Sequence, residues 1–256
     1  MSRDTQKRAV RDVFTRTADG YVALKAEGDR ESHRELIDAA APRAGERCVD
    51  VGAGPGFVTA LAADRCGFAV ALDLTEAFVA RSRERATRGV LAAVVGDADR
   101  LPLASASVDL VISHKALHHF AAPARVLDEA FRVLRPGGRI AVADTYADED
   151  PARAARHNAL EVLRDPSHVR MYALSGLRAL LEAAGFGDPR ERLYEDERAL
   201  SWWFDVAALR AETREAMLRE ARASMAAGDA TGLAFRETPE GIVFRRREVV
   251  LVATRP

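Results

Sequence analysis

Short apolar runs alternate with amphipathic segments through the first 145 residues of the chain. The runs are rich in Val, Ile and Ala, and in order they read RCVDV, FAVAL, VLAAVV, VDLVIS and GRIAVAD. Helices are predicted between them at about 56–64, 75–88 and 123–134. Runs of this composition separated by helices are typical of a parallel sheet covered on both faces. The pattern therefore predicts an α/β fold with a doubly wound, mostly parallel sheet, whose ligand site lies at the carboxyl ends of the strands.

The rest of the chain is predicted to be mainly helical. Helices are predicted twice within 1–41, then at 151–164, at 175–184 with Ser175 as its cap, and as one helix at 202–227. The segments RERLYED, LAFRE and IVFRRREVVLVATRP are predicted strands, and the last two are expected to pair antiparallel at the sheet edge. The expected organisation is one domain over 1–256. It is divided into an N-terminal helical cap (1–41), a core (42–145), a second helical cap over the predicted ligand site (146–231) and C-terminal antiparallel strands (232–256).

Composition narrows the class of protein. The 256 residues carry a net charge of −1, so no concentrated basic surface favours a nucleic-acid partner. The N-terminal residues are too polar for a signal peptide, and no apolar run reaches the ~18 residues that a membrane helix needs. Cys48 and Cys66 lack a metal-binding spacing and are expected to be reduced, partly buried thiols. We therefore expect a cytoplasmic protein with neither a nucleic-acid nor a membrane partner, and a homodimer is one option for its assembly.

The segment RCVDVGAGPG, residues 47–56, joins the first predicted strand to a helix through a glycine-rich turn. Such a turn can hold the pyrophosphate of NAD or the amino-acid end of an adenosyl cofactor. Its glycines read GxGxG, whereas dinucleotide-binding turns read GxGxxG. Asp50 would repel a pyrophosphate, but its charge suits an ammonium or sulfonium group. The turn therefore favours an adenosyl sulfonium over NAD.

Two more acidic residues follow the next predicted strands. Asp73, in ALDLT, is placed to accept hydrogen bonds from both hydroxyls of a ribose, a role that NAD and adenosyl cofactors share. Asp97, in GDADRLPL, is placed to accept a hydrogen bond from the exocyclic amino group of adenine, while the backbone of Ala98 contacts the edge of the adenine ring. Together with Asp50, these residues favour an adenosyl cofactor.

The motifs DVGAGPG, ALDLT, GDADRLPL, VDLVISHKALHHF and RVLRPGGRIAVAD, in this order, resemble those of class I S-adenosylmethionine-dependent methyltransferases. The resemblance covers roughly residues 10–190, in the branch of ubiquinone/menaquinone-type and natural-product methyltransferases. It implies a seven-stranded Rossmann-like sheet with a helical cap, S-adenosylmethionine as cofactor and S-adenosylhomocysteine as product. The cofactor contacts that it implies are Asp50, Gly52, Ala53 and Gly54 for the methionine part, Asp73 and Leu74 for the ribose, Asp97 and Ala98 for the adenine, Ser113 and His114 near the sulfonium, and Phe14 and Tyr21 closing over the cofactor.

The histidines after the fourth predicted strand are candidates for a general base. Methyl transfer to an oxygen of high pKa needs such a base, and histidine commonly serves near neutral pH. Asp144 ends the neighbouring strand, where its carboxylate can orient an imidazole. We expect His118 and Asp144 to form a catalytic dyad, with His119 as the second choice. The alternative is that one histidine only caps the next helix. His33 is expected to be solvated.

Residues of the predicted cap are candidates for acceptor contacts, namely Tyr172, His168, Trp202 and Trp203. The two tryptophans suit a flat apolar acceptor, although either one can instead anchor its helix to the core. No carboxylate cluster suggests a metal ion. The expected function is methyl transfer to a small molecule, with O-methylation ahead of C- or N-methylation. The alternatives are a non-methylating reaction, such as cyclisation or decarboxylation, and a nicotinamide-dependent oxidation.

Overall fold

A computed structural model describes residues 3–85 and 87–256, apart from the side chains of residues 19, 21 and 23–28. Alternating strands and helices begin after two N-terminal helices. The helices are α1 (Arg3–Gly28), α2 (Arg30–Ala40), α3 (Phe57–Cys66), α4 (Glu76–Arg83), α5 (Pro123–Val133), α6 (Pro151–Arg164), α7 (Leu174–Ala183), α8 (Leu200–Val206) and α9 (Ala211–Ala226). The strands are β1 (Arg47–Val51), β2 (Phe68–Asp73), β3 (Val90–Val95), β4 (Val108–His114), β5 (Leu134–Thr145), β6 (Gly187–Ala199), β7 (Arg236–Thr238) and β8 (Gly241–Thr254).

The strands form one sheet in the order β3-β2-β1-β4-β5-β8-β6, and β7 pairs with β8. Strands β1 to β5 pair in parallel, whereas β8 runs antiparallel to β5, β6 and β7. The predicted doubly wound, mostly parallel sheet is confirmed. The sheet has eight strands within the described residues, because the short β7 is added to the expected seven. In addition, β8 lies inside the sheet, and β6 forms its edge.

Strand residues alternate between two apolar layers, which explains the continuous apolar runs in the sequence. On β5, for example, Ile140 and Val142 belong to the core beneath α5 and α7. Ala141 and Ala143 belong to the opposite core, beneath α2 and α3. Both faces of the central strands are therefore buried. Cys48 and Cys66 are free thiols in the second core and are fully buried, not partly buried as expected.

A third apolar cluster lies outside the sheet core and joins α6, α8 and α9 to β8. The single helix predicted for 202–227 is wrong, since the chain breaks between α8 and α9, with Ala208 in the left-handed region at φ 48°. The break lets α8 pack on β8 while α9 packs on α6. The predicted Ser175 cap is also wrong, because α7 begins after Ala173 and the Ser175 hydroxyl bonds Glu149.

The topology brings the predicted site residues to one edge of the sheet. The order of the strands reverses between β1 and β4, which leaves a crevice at their carboxyl ends. Asp50, Asp73, His114 and Asp144 lie at or near the carboxyl ends of β1, β2, β4 and β5. None of the helices built from the described residues is both long enough and apolar enough to cross a membrane.

Candidate active site

The turn after β1 is shaped by glycines with positive φ. Gly52 has φ 70°, and its N–H donates to the Leu72 carbonyl at 2.9 Å. A Cβ on Gly52 would lie 2.6 Å from Ala116 Cβ, so a side chain does not fit there. Gly56 packs against Ser82 in the same way, because a Cβ added to it would lie 2.7 Å from Ser82 Oγ. These two glycines permit close packing of the turn against its neighbours.

Gly54 differs because the space beside it is open. Its φ is 53°, and a Cβ there would meet only Phe78, at 4.0 Å. Its N–H donates to Asp73 Oδ2 at 2.8 Å, which links the glycine turn to the end of β2. Since Gly54 lines the cleft described next, an added Cβ would enter that cleft.

A cleft of about 1020 Å³, partly open to solvent, lies at the crevice between β1 and β4. Most of the predicted cofactor contacts line it, namely Phe14, Gly52, Ala53, Gly54, Asp73, Leu74, Asp97, Ala98 and His114. The structure therefore brings together residues that come from α1, from the ends of β2 and β4, and from the loops after β1 and β3. The side chain of Tyr21 lies outside the described residues, so its predicted contact is not described.

Asp73 and Asp97, two of the acidic residues on the cleft wall, are held by different partners. Asp73 accepts the N–H groups of Gly54 and Thr75, both at 2.8 Å. Burial raises the pKa of the Asp73 carboxyl despite these hydrogen bonds. Asp97 is more exposed, and its Oδ2 lies 2.7 Å from Lys7 Nζ. The same Lys7 ammonium lies 2.5 Å from Asp99, so an ion pair ties α1 across this end of the cleft.

Two predicted cofactor contacts do not lie on the cleft wall. Asp50 is fully buried behind the glycine turn, where its Oδ2 accepts the Thr59 hydroxyl at 2.6 Å. Burial raises the pKa of Asp50 to about 7. Ser113 donates its hydroxyl to the Val51 carbonyl at 2.9 Å and so joins β4 to β1. The expected direct contacts of Asp50 and Ser113 with the cofactor are therefore not supported by their positions.

Helices α1 and α2 contribute to the cleft more than predicted. Phe14 packs against Phe78, with 5.5 Å between ring centroids, and edge-on to His119 at 5.2 Å. His33 was expected to be solvated, and this prediction is wrong. It is buried, lines the cleft and stacks on Phe57 at 5.4 Å. Its spacing from Leu36, Ile37 and Ala40, which share the buried face of α2, is the sequence signal for that position.

A second cavity of about 740 Å³, also partly open to solvent, adjoins the cleft. Phe14, Lys115 and His119 line both, so they form the partition between them. The wall of the second cavity combines apolar side chains, including Met171, Trp202, Trp203, Val206, Leu233 and Phe244, with a larger number of polar and charged ones. Its polar residues include His118, His157 and Glu161. A ligand in this cavity would meet both aromatic rings and histidines.

His118 and Asp144 form the predicted pair in this structure. His118 lies on a 3-10 turn, Leu117–His119, and its Nδ1 is 2.6 Å from Asp144 Oδ1. Burial of Asp144 opposes its ionisation, but the charge of His118 and their hydrogen bond outweigh burial and lower the pKa of Asp144. No described residue bonds His118 Nε2, which leaves this nitrogen available on a ring that lines the second cavity.

His119 and His168 occupy different environments from His118. Burial and the charge of His118 together lower the pKa of His119 to about 4. His119 Nδ1 bonds the Ser167 carbonyl at 3.1 Å. Burial likewise lowers the pKa of His168 to about 3, and its Nε2 bonds Asn158 Oδ1 at 2.9 Å. Imidazoles that hold a proton so weakly are poor general bases at neutral pH.

The predicted acceptor residues divide into two groups. Trp202 and Trp203 line the second cavity, whereas Tyr172 and His168 line neither cavity. Trp203 is buried and stacks on Phe244 with 4.3 Å between ring centroids. Trp203 thus lies on the wall of the second cavity and also anchors α8 to β8. Tyr172 packs on the sheet core instead of the cavity.

Lys115, a residue of the partition, lies within the motif VDLVISHKALHHF but was not among the predicted site residues. Its backbone has φ 50°, and its Nζ lies 2.9 Å from Asp29 and 2.6 Å from Glu248. Arg246 contacts the same two carboxylates. A buried ionic network therefore joins the segment after α1 to β8. Its position next to His114 is the only sequence feature that could have predicted Lys115 as a site residue.

The cleft fits an adenosyl cofactor in shape and in chemistry. The open space beside Gly54 admits a ligand where a Cβ would block it. Asp73 supplies a carboxylate for ribose hydroxyls, and the partly exposed Asp97 supplies one for an amino group. The site, together with a sheet in which one strand near the edge is reversed, defines the Rossmann-like class of adenosyl-cofactor enzymes.

Comparisons with known proteins agree with this class. Residues 49–142 match the family described as methyltransferase domain. The uncharacterized methyltransferase YcgJ of Bacillus subtilis is 34% identical over 66% of this chain and 68% of its own length. The ubiquinone/menaquinone biosynthesis C-methyltransferase UbiE of Roseobacter denitrificans is 35% identical over 56% of this chain and 61% of its own length. The crystal structure of YcgJ superposes with a TM-score of 0.80 at 25% identity, covering 88% of this chain and 97% of that one.

The chain belongs to the class I S-adenosylmethionine-dependent methyltransferases. It is an enzyme whose cofactor is S-adenosylmethionine. The motif-based prediction of family, fold and cofactor is confirmed, and the nicotinamide alternative is excluded by this membership.

Proposed function

We propose that this methyltransferase methylates a hydroxyl group of a flat, uncharged small molecule, with His118 as the general base. The observation that carries this proposal is the 2.6 Å contact between His118 Nδ1 and Asp144 Oδ1 beside the second cavity. Asp144 holds the proton on Nδ1 and leaves Nε2 unprotonated to accept the hydroxyl proton. The cofactor supplies an activated methyl group on its sulfonium.

The partition between the two cavities positions the acceptor. Phe14, Lys115 and His119 separate the cofactor cleft from the acceptor cavity but line both, so the reacting groups meet along this boundary. The aromatic side chains on the wall of the second cavity orient a planar acceptor. Positioning of this kind contributes much of the rate enhancement in a displacement whose methyl donor is already activated.

Charge balance in the second cavity supports an uncharged acceptor. Four cationic side chains line it, and each has a carboxylate partner within 3.4 Å: Lys115 with Glu248, Arg164 with Glu161, Arg246 with Asp196, and Arg247 with Asp148. A cation already paired gains less from an anionic ligand than an unpaired one. A neutral phenol or polyketide-like natural product fits such a wall.

Incubation with unlabelled S-adenosylmethionine and a panel of phenols and naphthols tests the proposal. We expect a product heavier by 14 Da whose new methyl is a methoxyl group by NMR, and a strong loss of turnover in His118→Ala. His118→Ala that retains both S-adenosylhomocysteine binding and full turnover would contradict the role of His118.

A second candidate is C-methylation of a quinol-like ring. The 35% identity to UbiE, which is named as a C-methyltransferase, favours it. The same base can serve here, because removing a phenolic proton raises the electron density of ring carbons. The NMR shift of the new methyl distinguishes a C–CH₃ product from a methoxyl product.

A further inference from the structure

His157 lies on the wall of the acceptor cavity, on a different element from the proposed base. It is on α6, its side chain is only 5% exposed, and it lines the same cavity as His118. Its Nδ1 is buried and has no hydrogen-bond partner among the described residues. Buried polar atoms are rarely left unpaired in proteins, so an unpaired nitrogen on a residue that lines a cavity indicates that a ligand or water completes its hydrogen bonding.

The neighbouring residues on α6 determine what this nitrogen can recognise. Glu161, one helical turn further on, places Oε1 3.8 Å from His157 Nε2. Glu161 is buried, which opposes its ionisation, but Arg164, together with the neighbouring His157 and His168, outweighs burial and keeps the pKa of Glu161 well below its usual range. An anion beside Nε2 favours the tautomer with the proton on Nε2. Nδ1 is then a hydrogen-bond acceptor, and its partner has to be a donor.

We propose that His157 Nδ1 accepts a hydrogen bond from a second O–H or N–H group of the methyl acceptor. This inference rests on the proposed function, in which the first hydroxyl meets His118. It narrows the substrate class to flat aromatic molecules with at least two hydrogen-bond donors, such as dihydroxyarenes. His157 is thus a specificity-determining residue, and the Arg164–Glu161 pair positions its ring.

The aromatic wall of the acceptor cavity is consistent with a flat aromatic substrate that has two hydrogen-bond donors. Trp203, stacked on Phe244, presents an aromatic surface from α8 and β8. A planar substrate ring that lies flat on this aromatic surface presents its substituents at the two opposite ends of the cavity. Polar groups at both ends would be satisfied by His118 and His157, whereas an acceptor with one hydroxyl would leave Nδ1 unpaired. Sites built to bond a substrate hydroxyl discriminate strongly against analogues that lack it.

The test compares 1,5-, 2,6- and 2,7-dihydroxynaphthalene with 1- and 2-naphthol. Binding to the S-adenosylhomocysteine-loaded enzyme is measured by calorimetry, and kcat/KM is measured with S-adenosylmethionine. We expect the best diol to be favoured over the naphthols by roughly tenfold or more in both measurements. His157→Phe keeps a ring but has no nitrogen, and should bring the ratio close to one. His157→Asn places an amide oxygen near the position of Nδ1 and should restore part of the preference.

Val162→Ala, on the exposed side of α6, is the matched control and should keep the wild-type ratio. An unchanged ratio in His157→Phe would show that Nδ1 bonds only water and would overturn the inference. Failure of all five naphthalenes to bind would overturn the substrate class. If the diol preference persists in binding but no methoxyl product forms, the proposed function fails while the inference stands.

Discussion

His118 Nδ1 lies 2.6 Å from Asp144 Oδ1, although the two residues are 26 positions apart and belong to different elements. The pair forms because β4 and β5 are adjacent and parallel, so that the turn after β4 passes the end of β5. Asp144 is buried, and its carboxylate also accepts the N–H of Thr145 at 2.8 Å. The Asp144 carboxylate is therefore fixed in position, and it holds the His118 imidazole through Nδ1.

Asp144→Asn should lower kcat by roughly 10²- to 10⁴-fold, because the amide no longer holds the proton on Nδ1 or stabilises the imidazolium. Affinity for S-adenosylhomocysteine should stay within about twofold of wild type, since Asp144 does not line the cofactor cleft. Steady-state kinetics and calorimetry measure the two quantities. A variant with unchanged kcat would remove the dyad from the mechanism.

Gly54→Ala should abolish cofactor binding at little cost to folding. Its Cβ enters the cleft without a protein atom nearer than 4.0 Å, so only the positive φ is penalised, by about 1 kcal/mol. Gly45→Ala is the matched control, with φ 85°, no atom within 4 Å of the added Cβ and a position outside the cleft. Both variants should unfold at similar denaturant concentrations, while only Gly54→Ala loses at least tenfold in S-adenosylhomocysteine affinity. Equal affinities in the two variants would argue against the cleft as the cofactor site.

Asp50 should make the free enzyme less stable as the pH rises. Its pKa is about 7 in the folded chain, above the ordinary value of 3.8. A raised carboxyl pKa contributes stability that is fully present below the unfolded value and is lost as the pH passes the folded value. The free energy of unfolding of wild type relative to Asp50→Asn should thus fall by roughly 2–3 kcal/mol between pH 5 and pH 8. Urea titrations of both proteins at each pH measure it, and a pH-independent difference would contradict the burial of this charge.

Lys7 should slow cofactor release, because its ion pairs with Asp97 and Asp99 hold α1 across the cleft. These pairs are partly exposed, so their combined effect is about 1 kcal/mol or less and falls with salt. Lys7→Met should raise the dissociation rate of S-adenosylhomocysteine by up to roughly fivefold in low salt. The exposed Arg11→Met on the same helix should not. Stopped-flow displacement measures both rates, and tighter retention in Lys7→Met would show that Lys7 competes with the cofactor for Asp97.

Trp203 and Trp202 should respond differently to truncation. Trp203→Ala removes a buried ring stacked on Phe244 and should cost about 3–5 kcal/mol of stability. Trp202 is less buried, and the guanidinium groups of Arg198 and Arg246 lie 5.2 and 5.3 Å from its ring. Trp202→Ala should therefore cost about 1 kcal/mol or less, and its main effect should be a raised KM for the acceptor. Chemical denaturation and steady-state kinetics distinguish the two, and equal stability losses would contradict this division.

Much of the fold could be predicted from the sequence, because its signals are local. Apolar runs such as VDLVIS report strands that are buried on both faces, and the Gly52–Gly54 turn with Asp73 and Asp97 identifies the cofactor edge. Where the chain turns only because of tertiary packing, the sequence carries no such local signal. The break after α8 is the example, since Ala208 takes a left-handed conformation so that α8 and α9 can reach different partners.

Motifs in the chain alone predict the family and the succession of the core strands. They also predict a pairing of Asp144 with a histidine, because the ends of neighbouring strands meet in a parallel sheet. Which side chains face the cavities depends on the folded packing. Successive residues of a strand point to opposite faces, so His114 reaches the cleft while its neighbour Ser113 bonds β1. Asp50 is covered by the turn that it precedes, and helix packing brings His33 and His157 to the cavity walls. These orientations arise from contacts between segments far apart in the chain, which no short motif encodes.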